Sequence, residues 1–136
     1  MSNSNHTESD FIKKITLIIE EHLSEESFGV SELAAEIGMS RSNLLRKIQK
    51  DTGLSVSLYI RKIRLEHAME LVLEKNLTIS EIAFEVGFSS VSYFITCFHN
   101  HFGYPPGETG NQKQKDVRAR KGTSSRRGYR SILLFI

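Results

Sequence analysis

The chain has 136 residues, with 18 Lys+Arg against 16 Asp+Glu, one Cys, no Trp and two Pro. That length holds one domain or two very small ones. A single cysteine excludes an internal disulfide framework and a four-cysteine zinc site, and no apolar run approaches the ~18 residues that would cross a bilayer.

Charge is distributed unevenly. Residues 1–107 carry 10 cations and 14 anions, whereas residues 108–136 carry 8 cations and 2 anions. Residues 41–64 concentrate seven cations around one anion, Asp51, and residues 65–107 set Lys75 alone against five glutamates. A basic middle and a basic tail point to a polyanionic partner.

In chain order, Met1 to Ser9 is polar, without the apolar stretch of a secretion signal, and reads as a disordered linker. Asp10 is placed to cap a helix whose apolar positions are Phe11, Ile15, Ile18, Ile19 and Leu23. Ser31 to Ile37 reads as a short helix with Leu33, Ala34 and Ile37 inward, stopped by Gly38. Ser40 caps a helix that runs to about Thr52 and ends at Gly53. Ser55 caps a long one to about Lys75, with Val56, Tyr59, Ile60, Ile63, Ala68, Leu71 and Val72 as its apolar positions. On that helix Glu66, Glu70 and Glu74 read as a solvated acidic face. Thr78 with Glu81 forms a capping box for a short helix ending at Gly87. Ser89 or Ser90 caps a last helix to about Phe102. Beyond Pro105-Pro106-Gly107 the composition turns to Gly, Ser, Lys, Arg and Gln, the signature of a disordered basic tail over 108–136, closed by the apolar Ile132 to Ile136.

The chain repeats itself. Val30 to Ser40 aligns without a gap on Ile79 to Ser89: Val-Ser-Glu-Leu-Ala-Ala-Glu-Ile-Gly-Met-Ser against Ile-Ser-Glu-Ile-Ala-Phe-Glu-Val-Gly-Phe-Ser. Each copy is a short helix, a glycine turn, an apolar plug (Met39 or Phe88), a serine cap and a second helix. That order is the grammar of a helix-turn-helix. At 100° per residue, Leu44 and Ile48 bury one face of the second helix in the first copy. Ser42, Arg46 and Gln49 then point outward, with Leu45 on the flank. In the second copy Phe94 and Phe98 are inward, Ser92, Thr96 and His99 outward, and Val91 and Tyr93 flanking.

Outward residues on such helices meet the major groove of double-stranded DNA. Arg46 has the strongest chemistry, because its guanidinium matches guanine O6 and N7. Arg41, Lys47, Lys50, Arg61, Lys62 and Arg64 suit phosphate neutralisation. The joining helix, about 30 Å long, is close to the ~34 Å between successive major grooves on one face of B-DNA.

These residues resemble the DNA-binding module of the AraC/XylS family of bacterial transcription regulators. The resemblance runs from about Phe11 to Pro106. It is carried by Leu33-Ala34, Gly38-Met39-Ser40, Leu44, Arg46, Gly53, Tyr59, Arg64-Leu65 with Ala68, Ile79 with Glu81-Ile82-Ala83, and Val86-Gly87-Phe88. It continues through Ser92-Tyr93-Phe94, Phe98 and Phe102-Gly103-Tyr104-Pro105-Pro106.

The resemblance implies an all-α, homeodomain-like fold over residues 10–107: two helix-turn-helix subdomains joined by a long linker helix, seven helices in all. It also implies reading of adjacent major grooves and transcription activation through RNA polymerase in the bacterial cytoplasm, as the end of a longer regulator. The chain departs from the family pattern in three places. Thr96, Cys97 and His99 stand where Arg or Lys is usual, and Ile48 where an aromatic is usual. Gly107-Glu108-Thr109-Gly110 replaces the start of the last helix. A rival reading makes the cation-poor second unit a protein-docking relic. Cys97 and His101 lack further ligands for a metal, and no nucleophile, acid pair or phosphate loop stands out. Neither an enzyme nor a cofactor, membrane or small-molecule site is expected in this module.

Overall fold

The computed structural model describes residues 9–109; the proposed linker up to Glu8 and the tail from Gly110 onward lie outside them. Among the described residues six α-helices follow one another: α1 (Asp10–Glu21), α2 (Val30–Ile37), α3 (Arg41–Thr52), α4 (Val56–Glu74), α5 (Ile79–Glu85) and α6 (Val91–Phe102). A 3₁₀ turn covers Pro106–Glu108. The chain divides into two compact units at Arg64/Leu65, within α4.

Unit 1 is built by α1, α2, α3 and the first half of α4. Its core joins Ile12, Ile15 and Ile19 of α1, Leu33 and Ala34 of α2, Leu44 and Ile48 of α3, and Val56, Tyr59, Ile60 and Ile63 of α4. Phe28 in the α1–α2 connection completes it. Phe11, Ile18 and Leu23, which the periodicity places inward, are only partly buried, and Ile12 takes the central position instead. Ser9, not Asp10, is the cap: its hydroxyl accepts the Ile12 N–H at 3.1 Å, so Asp10 is the first helical residue. Ser9 therefore belongs to the folded module rather than to the linker. Across this core Thr16 Oγ1 and Tyr59 Oη share a hydrogen bond of 2.9 Å, which satisfies a phenol that is otherwise buried.

Unit 2 takes the second half of α4, with Leu65, Ala68, Met69 and Val72 buried, together with α5, α6 and the 3₁₀ turn. Its core is aromatic. Phe88 meets Phe94 edge-on at 5.2 Å and Phe94 meets Phe98 at 5.8 Å, a geometry that sets ring edges against ring faces. Phe98 also contacts Phe102 and Tyr104. Glu108 and Thr109 belong to the fold: Glu108 lies in the 3₁₀ turn and Thr109 is buried. Both lie within the stretch read from composition as a tail, and the described residues end at Thr109. The acidic face of α4 is also only partly solvated. Glu66 and Glu70 are half-buried, with His67 Nδ1 3.9 Å from Glu70 Oε1.

The two copies of the repeat use one turn. The Gly38 and Met39 N–H groups donate to the Ala35 and Ala34 carbonyls at 3.2 and 3.0 Å; those of Gly87 and Phe88 donate to Phe84 and Ala83 at 3.1 and 2.9 Å. Both are Schellman closures, which need a left-handed residue, and Gly38 (φ 76°) and Gly87 (φ 92°) supply it without the Cβ clash. The next residue is thereby turned inward: Phe88 is buried and Met39 packs on the unit 1 core. The following helices are capped alike. Ser40 Oγ accepts from the Asn43 N–H and Ser90 Oγ from the Tyr93 N–H, each at 3.1 Å. Ser90, rather than Ser89, is therefore the cap of α6.

Candidate nucleic-acid interface

Helix α3 buries Leu44 and Ile48 and leaves every other position from Arg41 to Lys50 exposed. Ser42, Leu45, Arg46 and Gln49 thus lie on its outer surface, as 100° spacing requires. Arg46 is not loose. Its Nη2 donates to Asn43 Oδ1 at 2.5 Å, one helical turn earlier. Arg41 Nη1 donates to Ser31 Oγ on α2 at 2.6 Å. The Gly29 N–H, which donates to Glu32 Oε1 at 2.9 Å, is the main cause that holds the Glu32 carboxyl below the usual range, and the charge of Arg41 adds a smaller contribution. Gln49 Nε2 reaches the Gly53 carbonyl at 3.2 Å, so it also closes the end of α3.

The cations expected at phosphates fall into two groups. Lys47 and Lys50 are exposed on α3, with Lys47 Nζ 4.8 Å from the centre of the Phe11 ring. Arg61 and Lys62 are half-buried on α4, where Lys62 Nζ lies 5.7 Å from the Tyr59 ring centre.

Arg64 requires a correction. It is 6% exposed and directs its guanidinium at the α1–α2 connection. It donates to the Leu23 carbonyl, to Glu25 O at 3.1 Å and to Phe28 O at 3.2 Å. Burial pulls its pKa below the usual arginine value, opposed by the Glu25 charge. Buried and committed to three carbonyls, this guanidinium is not presented at the surface where a phosphate would lie.

Beside Arg64 the structure assembles a cluster that the sequence does not announce. The His22 ring stacks on Phe28 at 4.2 Å with planes 4° apart. Its Nδ1 lies 3.0 Å from Glu25 Oε2 and its Nε2 2.8 Å from Glu36 Oε1. The hydrogen bond to Glu25 is the largest influence on the ring, and the pKa is raised above the ordinary histidine value.

In unit 2, α6 exposes Ser92, Tyr93, Thr96 and His99, while Val91 is half-buried. Tyr93 packs its ring against Phe88 at 5.9 Å, so it serves packing as well as surface. Helix α6 contains no Lys or Arg. Cys97 is buried and His101 exposed; among the described residues no group of three metal-ligating side chains occurs. Nor is any helix among them long and apolar enough to cross a membrane. Asn43 and the carbonyl-binding role of Arg64 escape sequence reasoning. The three-residue spacing of Asn43 and Arg46 is a signal for the first; nothing local signals the second.

Comparison with known proteins agrees with this geometry. A family model described as a helix-turn-helix domain matches residues 33–112. The transcriptional regulator GbdR of Pseudomonas aeruginosa is 36% identical over 95 residues, which cover 70% of this chain and 26% of GbdR. The crystal structure of the C-terminal domain of the response regulator yesN from Fusobacterium nucleatum superposes with a TM-score of 0.67 at 33% identity, covering 74% of this chain and 97% of that one. The DNA-binding domain of AdpA, solved with a target DNA, superposes with a TM-score of 0.66 at 27% identity, covering 85% of this chain and 100% of that domain. The chain spans between 8% and 41% of the length of the curated relatives it matches. A duplicated helix–glycine–helix turn with matching caps, together with these likenesses, places the chain in the AraC-type helix-turn-helix family of DNA-binding transcription regulators.

Proposed function

We propose that this chain binds double-stranded DNA sequence-specifically, with α3 as the principal reading helix. The observation that carries this reading is the outer face of α3. It joins Ser42, Leu45, Arg46 and Gln49, suited to base edges, with Arg41, Lys47 and Lys50, suited to phosphates. Arg61 and Lys62 add phosphate neutralisation from α4. The solved complex of the AdpA domain with its target DNA supports the same reading by likeness. Binding regulates transcription in the cytoplasm, by activation through RNA polymerase.

Helix α6 is the second reader, with Val91, Ser92, Tyr93, Thr96 and His99 against the groove. Lacking Lys and Arg, it contributes less electrostatic grip than α3. The exposed Tyr93 and Ile95 favour a second reading in which this unit no longer reads DNA and docks a protein instead. Selection from random duplexes, followed by base-pair scanning of the selected site, tests both. Arg46→Ala is expected to relax preference in one half-site only; an unchanged profile overturns the assignment of α3. Scanning the other half-site decides α6: equal sensitivity there removes the protein-docking reading.

A further inference from the structure

We infer that Asn43 is a positioning residue for base recognition, and that the Asn43–Arg46 pair selects guanine over adenine at one base pair. The inference rests on α3 being a DNA reader, as proposed above, and adds the chemistry it selects. A guanidinium has only donors, so the amide atom facing Arg46 Nη2 at 2.5 Å is the Asn43 oxygen. Two consequences follow.

First, the long Arg46 side chain is held at one end by a charge-assisted bond across a single helical turn, so its remaining N–H groups are aimed before DNA arrives. Less rotamer entropy is then lost on binding. Second, the group so aimed offers donors alone. Guanine shows two acceptors, O6 and N7, in the major groove, whereas adenine pairs one acceptor with a donor. A guanidinium held in place by the Asn43 oxygen therefore satisfies guanine and leaves the adenine amino group opposed by N–H.

The fold does not depend on this contact. Asn43 is exposed, and its part in capping α3 is played by its backbone N–H, which substitution leaves in place. Binding of the full chain to a selected duplex is measured with each base pair of the α3 half-site replaced in turn, for the unmodified protein and for Arg46→Ala, Asn43→Ala and Asn43→Asp. Circular dichroism checks that each variant keeps its helices.

The expected result for Asn43→Ala is a drop of about tenfold in guanine-over-adenine preference, the scale of a well-made base contact. The loss falls at the pair where Arg46→Ala acts, with the salt slope unchanged. Asn43→Asp, which keeps the acceptor, retains that preference with weaker overall binding from its charge. The inference is overturned if Asn43→Ala leaves the preference intact, weakens all duplexes equally, or abolishes an adenine preference at a separate pair. In each of those cases DNA reading by α3 stands, provided Arg46→Ala still relaxes its pair. If Arg46→Ala changes nothing, the reading of α3 falls and this inference with it.

Discussion

Arg64 Nη2 donates to the carbonyl of Phe28 at 3.2 Å, tying α4 to the connection between α1 and α2. The same guanidinium also serves Leu23 and Glu25. The last carbonyls of a helix and those of the loop after it have no intrahelical donor, so one buried arginine serves the Leu23 and Phe28 carbonyls and adds a donor at the Glu25 carbonyl, which also accepts from the Phe28 N–H at 3.0 Å. Arg64→Met is expected to destabilise unit 1 by about 2–3 kcal/mol, the range for a lost buried bond to a charged group. Arg64→Lys recovers little of this, because an ammonium cannot fork to three carbonyls. Denaturant melts measure the loss. The salt slope of DNA binding by the folded fraction should not change; a reduced slope would return Arg64 to the phosphate-binding set.

The His22 cluster makes unit 1 sensitive to pH. Its pKa is raised in the fold by Glu25 and Glu36, so the folded state binds the proton more tightly than the unfolded chain. Stability from this group is complete below the unfolded value of about 6.5 and is lost as pH rises through the folded value above it. Melting temperature should therefore fall as pH is raised through neutrality. In His22→Gln that dependence should flatten, and an unchanged profile would show that the cluster does not couple to folding.

Lys75 ends α4 with φ of 59°, a left-handed conformation unusual for a residue with a Cβ. Its N–H closes the helix onto Leu71 O at 3.3 Å and Val72 O at 3.2 Å, so the conformation is held by the turn. Relief of the steric cost exceeds the added chain entropy of glycine. Lys75→Gly should raise stability by about 0.5–1 kcal/mol, read from urea midpoints. A loss of stability would show that the lysine stem contributes more packing than its conformation costs.

Salt dependence separates the phosphate-facing cations. Each phosphate contact contributes roughly 0.9 to the slope of log K against log salt. Lys50→Ala should lower the slope by about that amount with base preference intact. Lys47→Ala should do the same and also destabilise unit 1 by about 0.5–1 kcal/mol, since its ammonium lies over the Phe11 ring. Binding isotherms at several salt concentrations decide; identical slopes for wild type and variants would remove these lysines from the interface.

The sequence by itself determined the duplicated turn, the caps at Ser40, Ser55 and Thr78, and the outward face of α3. All of these depend on residues within one or two helical turns: a hydroxyl three residues before an N–H, a glycine at a left-handed position, apolar side chains four apart. The amide that holds Arg46 was open to the same kind of reading.

What only the tertiary structure decided lies at longer range. Arg64 has the same charge whether it meets a phosphate or a carbonyl. Its choice depends on loop acceptors 36 to 41 positions away in the chain, which no local spacing encodes. Ile12 lies with Ile15 and Ile19 on the face of α1 that enters the unit 1 core, which leaves Phe11 at its margin. His22 found Phe28 and Glu36 because α1 and α2 fold against each other, and that contact gave a surface histidine its carboxylate partners.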